Sequence, residues 1–283
     1  MNVNYNKYTE LQILRLERFI DTANKWLAAN RSSFNLITVE RVLNRMSTNT
    51  SLLGVETDSK TKKGSKNGYL TGILYLAPHK ITGFNVCSMA KTCINDCLFN
   101  AGRGQFGGVT EARIIKTLIF LLDIEFFKAI LTRDIQRVVN KADKKGMTPV
   151  IRLNGTSDLI IERVFKDVLN KFNTVQFYDY TKIPNRRKLP SNYDLTFSYD
   201  GVNGVETELF LKRGGRVSVV FKNELPETFM GYPVINGDSS DLRFLDSGGV
   251  VVGLVAKGSA KKDSANDSFV VCPKSDNRCK LSA

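Results

Sequence analysis

The sequence is poor in histidine and in acid. His79 is the only histidine among 283 residues. A metal site that needs two imidazoles, such as H-E-x-x-H or a facial triad, is therefore excluded within one chain. A Ser-His-Asp triad would have to use His79, whose place after Pro78 predicts a turn at a strand end. Long apolar runs are lacking too. The longest, residues 114–124, carries Lys116 and Asp123 and falls short of the roughly 20 residues that cross a bilayer. The opening MNVNYNKYTE has neither the basic nor the apolar region of an export signal, which predicts a cytoplasmic protein without a membrane partner. Acidic residues number 28 against 41 Lys and Arg. The resulting charge of +13 points to an anionic partner, nucleic acid or a nucleotide ahead of a membrane surface.

What is present reads as two parts. Residues 1–65 form a helical N-terminal extension. Leu11, Leu14, Leu16, Phe19, Ile20, Ala23 and Leu27 recur near helical spacing, and Thr38 is a good cap for a second helix. The extension ends in a polar, basic linker, ETDSKTKKGSKNG, at 56–68. Residues 66–283 alternate strand and helix. Strand-like stretches fall at 70–77, 150–153, 175–178, 195–198, 217–221 and 250–255. Helical patterns fall at about 110–145, with a break expected near Asp123 or Arg133, at 160–172 with Ser157 or Asp158 as cap, and at 207–213. This alternation predicts an α/β fold with a largely parallel sheet, a complete or incomplete (β/α) barrel.

The predicted strands end in polar or small residues, and in parallel α/β folds the carboxyl-end rim is where ligands bind. Asp158, Asp179, Lys182, Lys222 and Lys257 stand at such ends and are the candidate catalytic groups. Asn154, Gly155, Thr156 and Ser157 form a candidate cofactor loop. Gly102, Arg103 and Gly104 begin a stretch that spells G-x-G-x-x-G. The dinucleotide reading of that stretch is rejected, because no strand directly precedes it and Asp123, at the right offset, lies in a helical run. A glycine loop that exposes backbone N–H groups to an anion remains open. Asp238, Asp241 and Asp246 offer oxygen to a cation such as Mg²⁺, or serve only as turn residues; Arg243 could pair with them or with a phosphate.

Five cysteines occur, three of them, Cys87, Cys93 and Cys97, as C-x5-C-x3-C between the first strand and the long helical pattern. Thiolate suits zinc or an iron–sulfur cluster. Zinc normally takes a fourth ligand, which Cys272, Cys279 or His79 would supply, whereas a cluster with one open corner needs none. Redox or unliganded thiols are the third reading.

The placement of this loop is similar to the radical S-adenosylmethionine superfamily, in which three cysteines after the first barrel strand bind a [4Fe-4S] cluster. There the cluster's fourth iron takes the amino and carboxylate groups of S-adenosylmethionine. The superfamily spacing is C-x3-C-x2-C with an aromatic residue before the last cysteine; here Asp96 occupies that place. Residues from about 70 to 271 carry a closer resemblance. GFNVCSMAKTCINDCLFNAGRGQF, PVIRLNGTSDL, VQFYDYTKIPNR, YDLTFSYDGVN, VSVVFK, GYPVINGDSSDLRFLD and VVVGLVAKGSAKKD follow one another in order. They resemble the mycobacteriophage gene-product-eighty-eight-like family of phage and prophage proteins. That resemblance implies a phage or mobile-element origin and no settled activity.

Basic residues recur at Lys60, Lys62, Lys63 and Lys66, at Lys141, Lys144 and Lys145, at Arg186, Arg187 and Lys188, and at Lys257, Lys261 and Lys262. These fit either phosphate contacts or a solvated surface. The sequence thus leads to an iron–sulfur enzyme of radical S-adenosylmethionine-like type, with Cys87, Cys93 and Cys97 as cluster ligands and an anionic substrate. The alternatives are a zinc- or cluster-stabilised nucleic-acid-binding protein without catalysis, and a Mg-dependent phosphotransfer or hydrolysis enzyme.

Overall fold

The computed structural model describes residues 51–56, 59–82, 84–94, 97, 107–186, 188–262 and 269–273. The helices expected over 1–50, and Gly102, Arg103 and Gly104, lie outside the described residues. In chain order the elements are β1 (Leu53–Val55), α1 (Ser59–Lys66), β2 (Tyr69–Leu74), α2 (Gly107–Leu122), α3 (Ile124–Lys144), β3 (Thr148–Arg152), α4 (Ile161–Val164) and α5 (Lys166–Lys171). There follow β4 (Gln176–Thr181), β5 (Tyr193–Ser198), α6 (Gly204–Lys212), β6 (Arg216–Phe221), β7 (Thr228–Phe229), β8 (Tyr232–Asn236), β9 (Val251–Val255) and β10 (Val270–Val271).

The strands form one sheet in the order β1-β2-β3-β4-β5-β6-β9-β8-β7. Neighbours from β2 to β8 pair in parallel, while β1 and β7 pair antiparallel at the two edges. The fold is mixed α/β, and among the described residues the sheet is not closed into a barrel. From β2 to β6 each strand lies on the same side of the one before it. β5 pairs with β6 only as far as Ser218; beyond that point β10 takes the same edge, at Val220 and Phe221.

Period-two alternation gives the sheet two unlike faces. Leu70, Leu74, Ile151, Leu153, Phe177 and Leu195 point to one face and pack with Ile115, Leu118, Phe127, Leu131 and Ile135 of the helices and with Phe165 between α4 and α5. Each such side chain, removed from water, contributes about 1.5–3 kcal/mol. On the other face Tyr69, Val150 and Tyr178 pack against Leu242 and Phe244, from the segment between β8 and β9.

Several expected elements shift. The 110–145 helix breaks at Asp123, as the sequence suggests: Asp123 adopts an extended conformation and its carboxylate accepts the Phe126 N–H at 3.0 Å, a cap worth about 1 kcal/mol. The helix expected over 160–172 is two short helices, α4 and α5. Phe165 leaves helical geometry between them and stacks on Phe127 at 5.9 Å. Neither Ser157 nor Asp158 caps it; the N-cap is Ile160, without a side-chain bond. The third helix begins at Gly204 rather than 207. The 56–68 linker contains α1, despite its lysines, because α1 packs on β2. A Cβ at Gly64 would stand 2.8 Å from Thr71 Oγ1, so the close approach requires glycine. β1, β7, β8 and β10 are too short, or too polar, to show in the sequence pattern.

Candidate functional site at the carboxyl-end rim

The cysteine segment crosses the carboxyl ends of the central strands. At one side Cys87 pairs with Asp158, just after β3, as an isolated parallel bridge, and the Asp158 N–H donates to Val86 O at 2.8 Å. At the other side the Thr92 hydroxyl donates to the Asp200 carbonyl, just after β5. The Cys87 thiol donates to Thr156 O at 3.7 Å. Burial pushes this thiol up to about 12; the nearby charges of Asp158, Cys97 and Cys93 add to the rise, and a hydrogen bond with the His79 backbone opposes it. His79 itself sits in a turn at φ +52° after β2, a left-handed conformation uncommon outside glycine.

The candidate loop after β3 is built for position. The Asn154 carboxamide accepts from the Ser157 hydroxyl and the Leu159 N–H, both at 2.9 Å, and donates to Leu159 O at 3.0 Å. Gly155 N–H donates to Leu74 O at 3.0 Å, and a Cβ there would meet that oxygen at 2.6 Å. The Thr156 hydroxyl donates to Leu76 O at 2.5 Å. The polar side chains expected to hold S-adenosylmethionine are thus spent on the protein, and this loop does not fit that role.

Four of the predicted site residues come together. The Asp158 carboxylate accepts from the Thr181 hydroxyl and the Lys182 N–H, both at 2.8 Å. Burial raises its pKa, against those two donors and the charges of Lys182 and Arg186. Asp179, inside β4 rather than in a turn, is buried. It accepts the Asn154 N–H at 2.7 Å and the Tyr193 hydroxyl at 3.0 Å. Burial raises it to about 7, opposed by Arg152, the Asn154 N–H and Tyr193. Lys222 and Lys257 lie apart, at the ends of β6 and β9, two and three strands beyond β4. The Lys222 N–H bonds Val271 O of β10, and Lys257 pairs with Asp238.

The three acids proposed for Mg²⁺ do not converge. Asp238 binds Lys257 and the Val255 N–H, Asp241 takes Arg152 and Tyr180, and Asp246 lies 3.2 Å from Arg243. Each carboxylate already faces a cation. Cys87, Cys93 and Cys97 are not in disulfides, and thiols are a donor set that suits iron or zinc. Among the described residues, however, no three His, Cys, Asp or Glu side chains are arranged to hold a metal ion. Cys272 is disulfide-bonded, which removes it as a thiolate ligand; Cys279 lies outside the described residues.

The gene product 88 family matches residues 46–280, most of the chain. The chain belongs to that family. The match spans the cysteine segment and every strand from β1 to β10. It lends no support to the more distant likeness to the radical S-adenosylmethionine superfamily. No curated protein and no solved structure matches the chain. Among the described residues no helix is long and apolar enough to cross a membrane.

Within this family member a polar network also occupies the sheet face opposite the main helices, and the sequence reading missed most of it. Arg152 donates to Asp241 at 2.8 Å and lies 4.6 Å over the Tyr180 ring. Tyr180 donates to the other Asp241 oxygen at 3.2 Å. Burial disfavours the Arg152 charge, but Asp241 and the neighbouring tyrosines and Asp179 outweigh it and hold the guanidinium protonated. Arg216 pairs with Asp194. The available signal was the alternation itself: Tyr178 and Tyr180 in β4, and Asp194, Thr196 and Ser198 in β5, fall on the same alternate positions as Arg152 and Arg216 in the neighbouring register.

Proposed function

We propose that this gene product 88 family member is a phage-type iron–sulfur enzyme acting on an anionic substrate, a nucleotide or nucleic acid, at the carboxyl-end rim of an incomplete barrel. The observation that supports it is the course of the cysteine segment: it is tied at Cys87 to Asp158 on one side and at Thr92, next to Cys93, to Asp200 on the other, and Cys87, Cys93 and Cys97 are not in disulfides. Cys87, Cys93 and Cys97 would hold a [4Fe-4S] cluster as thiolates, and it would supply redox chemistry at the rim. Within this reading Asp158 sits beside Cys87, and Asp179, one hydrogen bond away at the Asn154 N–H and with its raised pKa, is the group able to hold or release a proton near neutral pH. Lys182 offers a cation at the same rim.

The test is anaerobic reconstitution with iron and sulfide, followed by iron counting and electron paramagnetic resonance. About four irons per chain in the wild type, lost in the triple variant Cys87→Ala, Cys93→Ala, Cys97→Ala, is the expected result. Equal and low iron in both overturns it. Incubating the reduced protein with S-adenosylmethionine and measuring 5′-deoxyadenosine decides whether that cofactor takes part.

A second reading, a zinc-stabilised nucleic-acid-binding protein, draws on a different observation. Two basic runs distant in sequence meet at Asp238: Lys63 donates to its backbone carbonyl and Lys257 pairs with its carboxylate. Lys62, Lys66 and Lys261 are exposed on the same two runs. Stoichiometric zinc without iron would favour this reading.

A further inference from the structure

We propose that the sheet face carrying Arg152, Arg216 and Arg243 is a binding site for a phosphate-bearing small ligand, covered by the connection between β8 and β9. The site is separate from the cysteines and does not depend on their holding a metal.

The sequence places its parts by register. β4, β5 and β6 align Tyr180 with Thr196 and Thr196 with Arg216, so these three side chains form one row across the sheet. Arg152 joins the row through its contact with the Tyr180 ring. The covering connection brings Asp241 and, in the 3-10 turn Arg243–Leu245, a third guanidinium. Arg152 and Arg243 are 5% and 1% exposed, more deeply buried than arginine usually is.

A closed structural salt network would use its donors up. This one does not. Arg152 spends Nη1 on Asp241. Arg216 spends Nη1 on the Asp246 carbonyl at 2.8 Å and Nη2 on Asp194. Arg243 spends Nη2 on Ser240 O at 2.6 Å. Left buried without a hydrogen-bond partner, among the described residues, are Nε of all three arginines, Nη1 of Arg243 and the Thr196 hydroxyl. Two carboxylate oxygens, Asp194 Oδ1 and Asp246 Oδ2, are left as well, so nitrogen donors exceed oxygen acceptors. Arg243 Nε lies 3.2 Å from Asp246 Oδ2 without making a hydrogen bond to it.

A buried donor left without an acceptor destabilises the fold. Several on one face, from residues brought in by four different segments, call for a ligand rich in acceptors; in charge, each of the three guanidiniums already faces one carboxylate, Asp241, Asp194 or Asp246. A phosphate group meets that need: the guanidinium fork matches its oxygens in pairs. The donors are shut from solvent, so entry requires the 237–246 connection to lift and close again over the ligand. A free phosphate and the phosphate of a nucleotide share this chemistry.

The experiment titrates the full chain, metal-free, with inorganic phosphate and in parallel with a nucleoside monophosphate, by calorimetry at fixed ionic strength. One saturable site per chain is expected for at least one of the two. Tighter binding of the monophosphate identifies a nucleotide, and equal binding identifies phosphate itself. Arg243→Gln should weaken binding at least tenfold. Should that variant fail to fold, Thr196→Val, close in shape and lacking only the hydroxyl, decides the matter by a loss of about threefold. No saturable binding of either probe, or unchanged affinity in the deciding variant, overturns the proposal. Repeating the titration on the triple Cys→Ala variant should give the same affinity, which separates this site from the iron–sulfur reading.

Discussion

The Asp179 carboxylate accepts the Asn154 backbone N–H at 2.7 Å, and this bond joins the middle of the sheet to the loop that seats Cys87. Burial raises Asp179 from its ordinary 3.8 to about 7, against the pull of Arg152, the Asn154 N–H and Tyr193. A folded-state pKa above the unfolded one means that the unfolded chain releases this proton first. The contribution to stability is then full below about pH 4 and is lost as pH rises through 7. The rise corresponds to about 4 kcal/mol. Asp179→Asn keeps the shape and cannot ionise. The difference in urea midpoint between variant and wild type should therefore grow in the variant's favour from pH 4 to pH 8. A difference that stays flat across that range contradicts the assignment.

Cys87 should be the slow thiol. Its pKa is pushed up to about 12, chiefly by burial, and only the thiolate reacts with an alkylating agent. In metal-free protein at pH 8, iodoacetamide should label Cys87 last among Cys87, Cys93 and Cys97, as mapped by mass spectrometry of peptides. Unfolding in urea should remove the difference. Labelling of Cys87 first would show that the Thr156 and Asp158 contacts do not hold it.

The strand centres were legible because residues such as Val150–Ile151 and Val217–Val219 are apolar and β-branched, and the break at Asp123 was legible because its side chain caps. The rim was legible in part: Asp158 meets the Lys182 N–H and Asp179 meets the Asn154 N–H, since β3 and β4 lie side by side. Lys222 and Lys257 do not join them, because strand order, rather than sequence order, sets their distance. α1 was hidden by its lysines, which speak for solvent, while the packing of Gly64 on Thr71 fixes the helix. The inner-face arginines were hidden for the opposite reason. Arginine reads as surface, and only the sheet register shows that Arg152 and Arg216 share a face.

Asp134 on α3 fixes the edge of the sheet. Its buried carboxylate accepts the Leu52 N–H at 2.6 Å and the Ser51 hydroxyl at 2.9 Å, and Arg133 and Arg137 pair with it. Asp134→Ala leaves the Leu52 N–H buried and unpaired, and should cost about 2–4 kcal/mol in chemical denaturation. Asp134→Asn, which retains an acceptor oxygen for that N–H, should cost less. Equal losses in the two variants would place the effect in the charge pairs instead.

Asp238 holds back the basic surface. It accepts Lys63 through its carbonyl and Lys257 through its carboxylate, and the Val255 N–H binds the same carboxylate at 3.0 Å. Asp238→Asn keeps an acceptor for Val255 and removes one negative charge from between two lysines. If nucleic acid docks here, its affinity should rise two- to fivefold at low salt, and the salt dependence of log K should steepen by about 0.9 as one more phosphate is neutralised. Fluorescence anisotropy with a labelled oligonucleotide over a series of salt concentrations measures both. Reversing the exposed Lys62, Lys66 and Lys261 to Glu should lower affinity more than tenfold and flatten the slope. Binding that responds to neither change would move the nucleic-acid surface elsewhere on this basic chain, and no binding at all would remove nucleic acid as its partner.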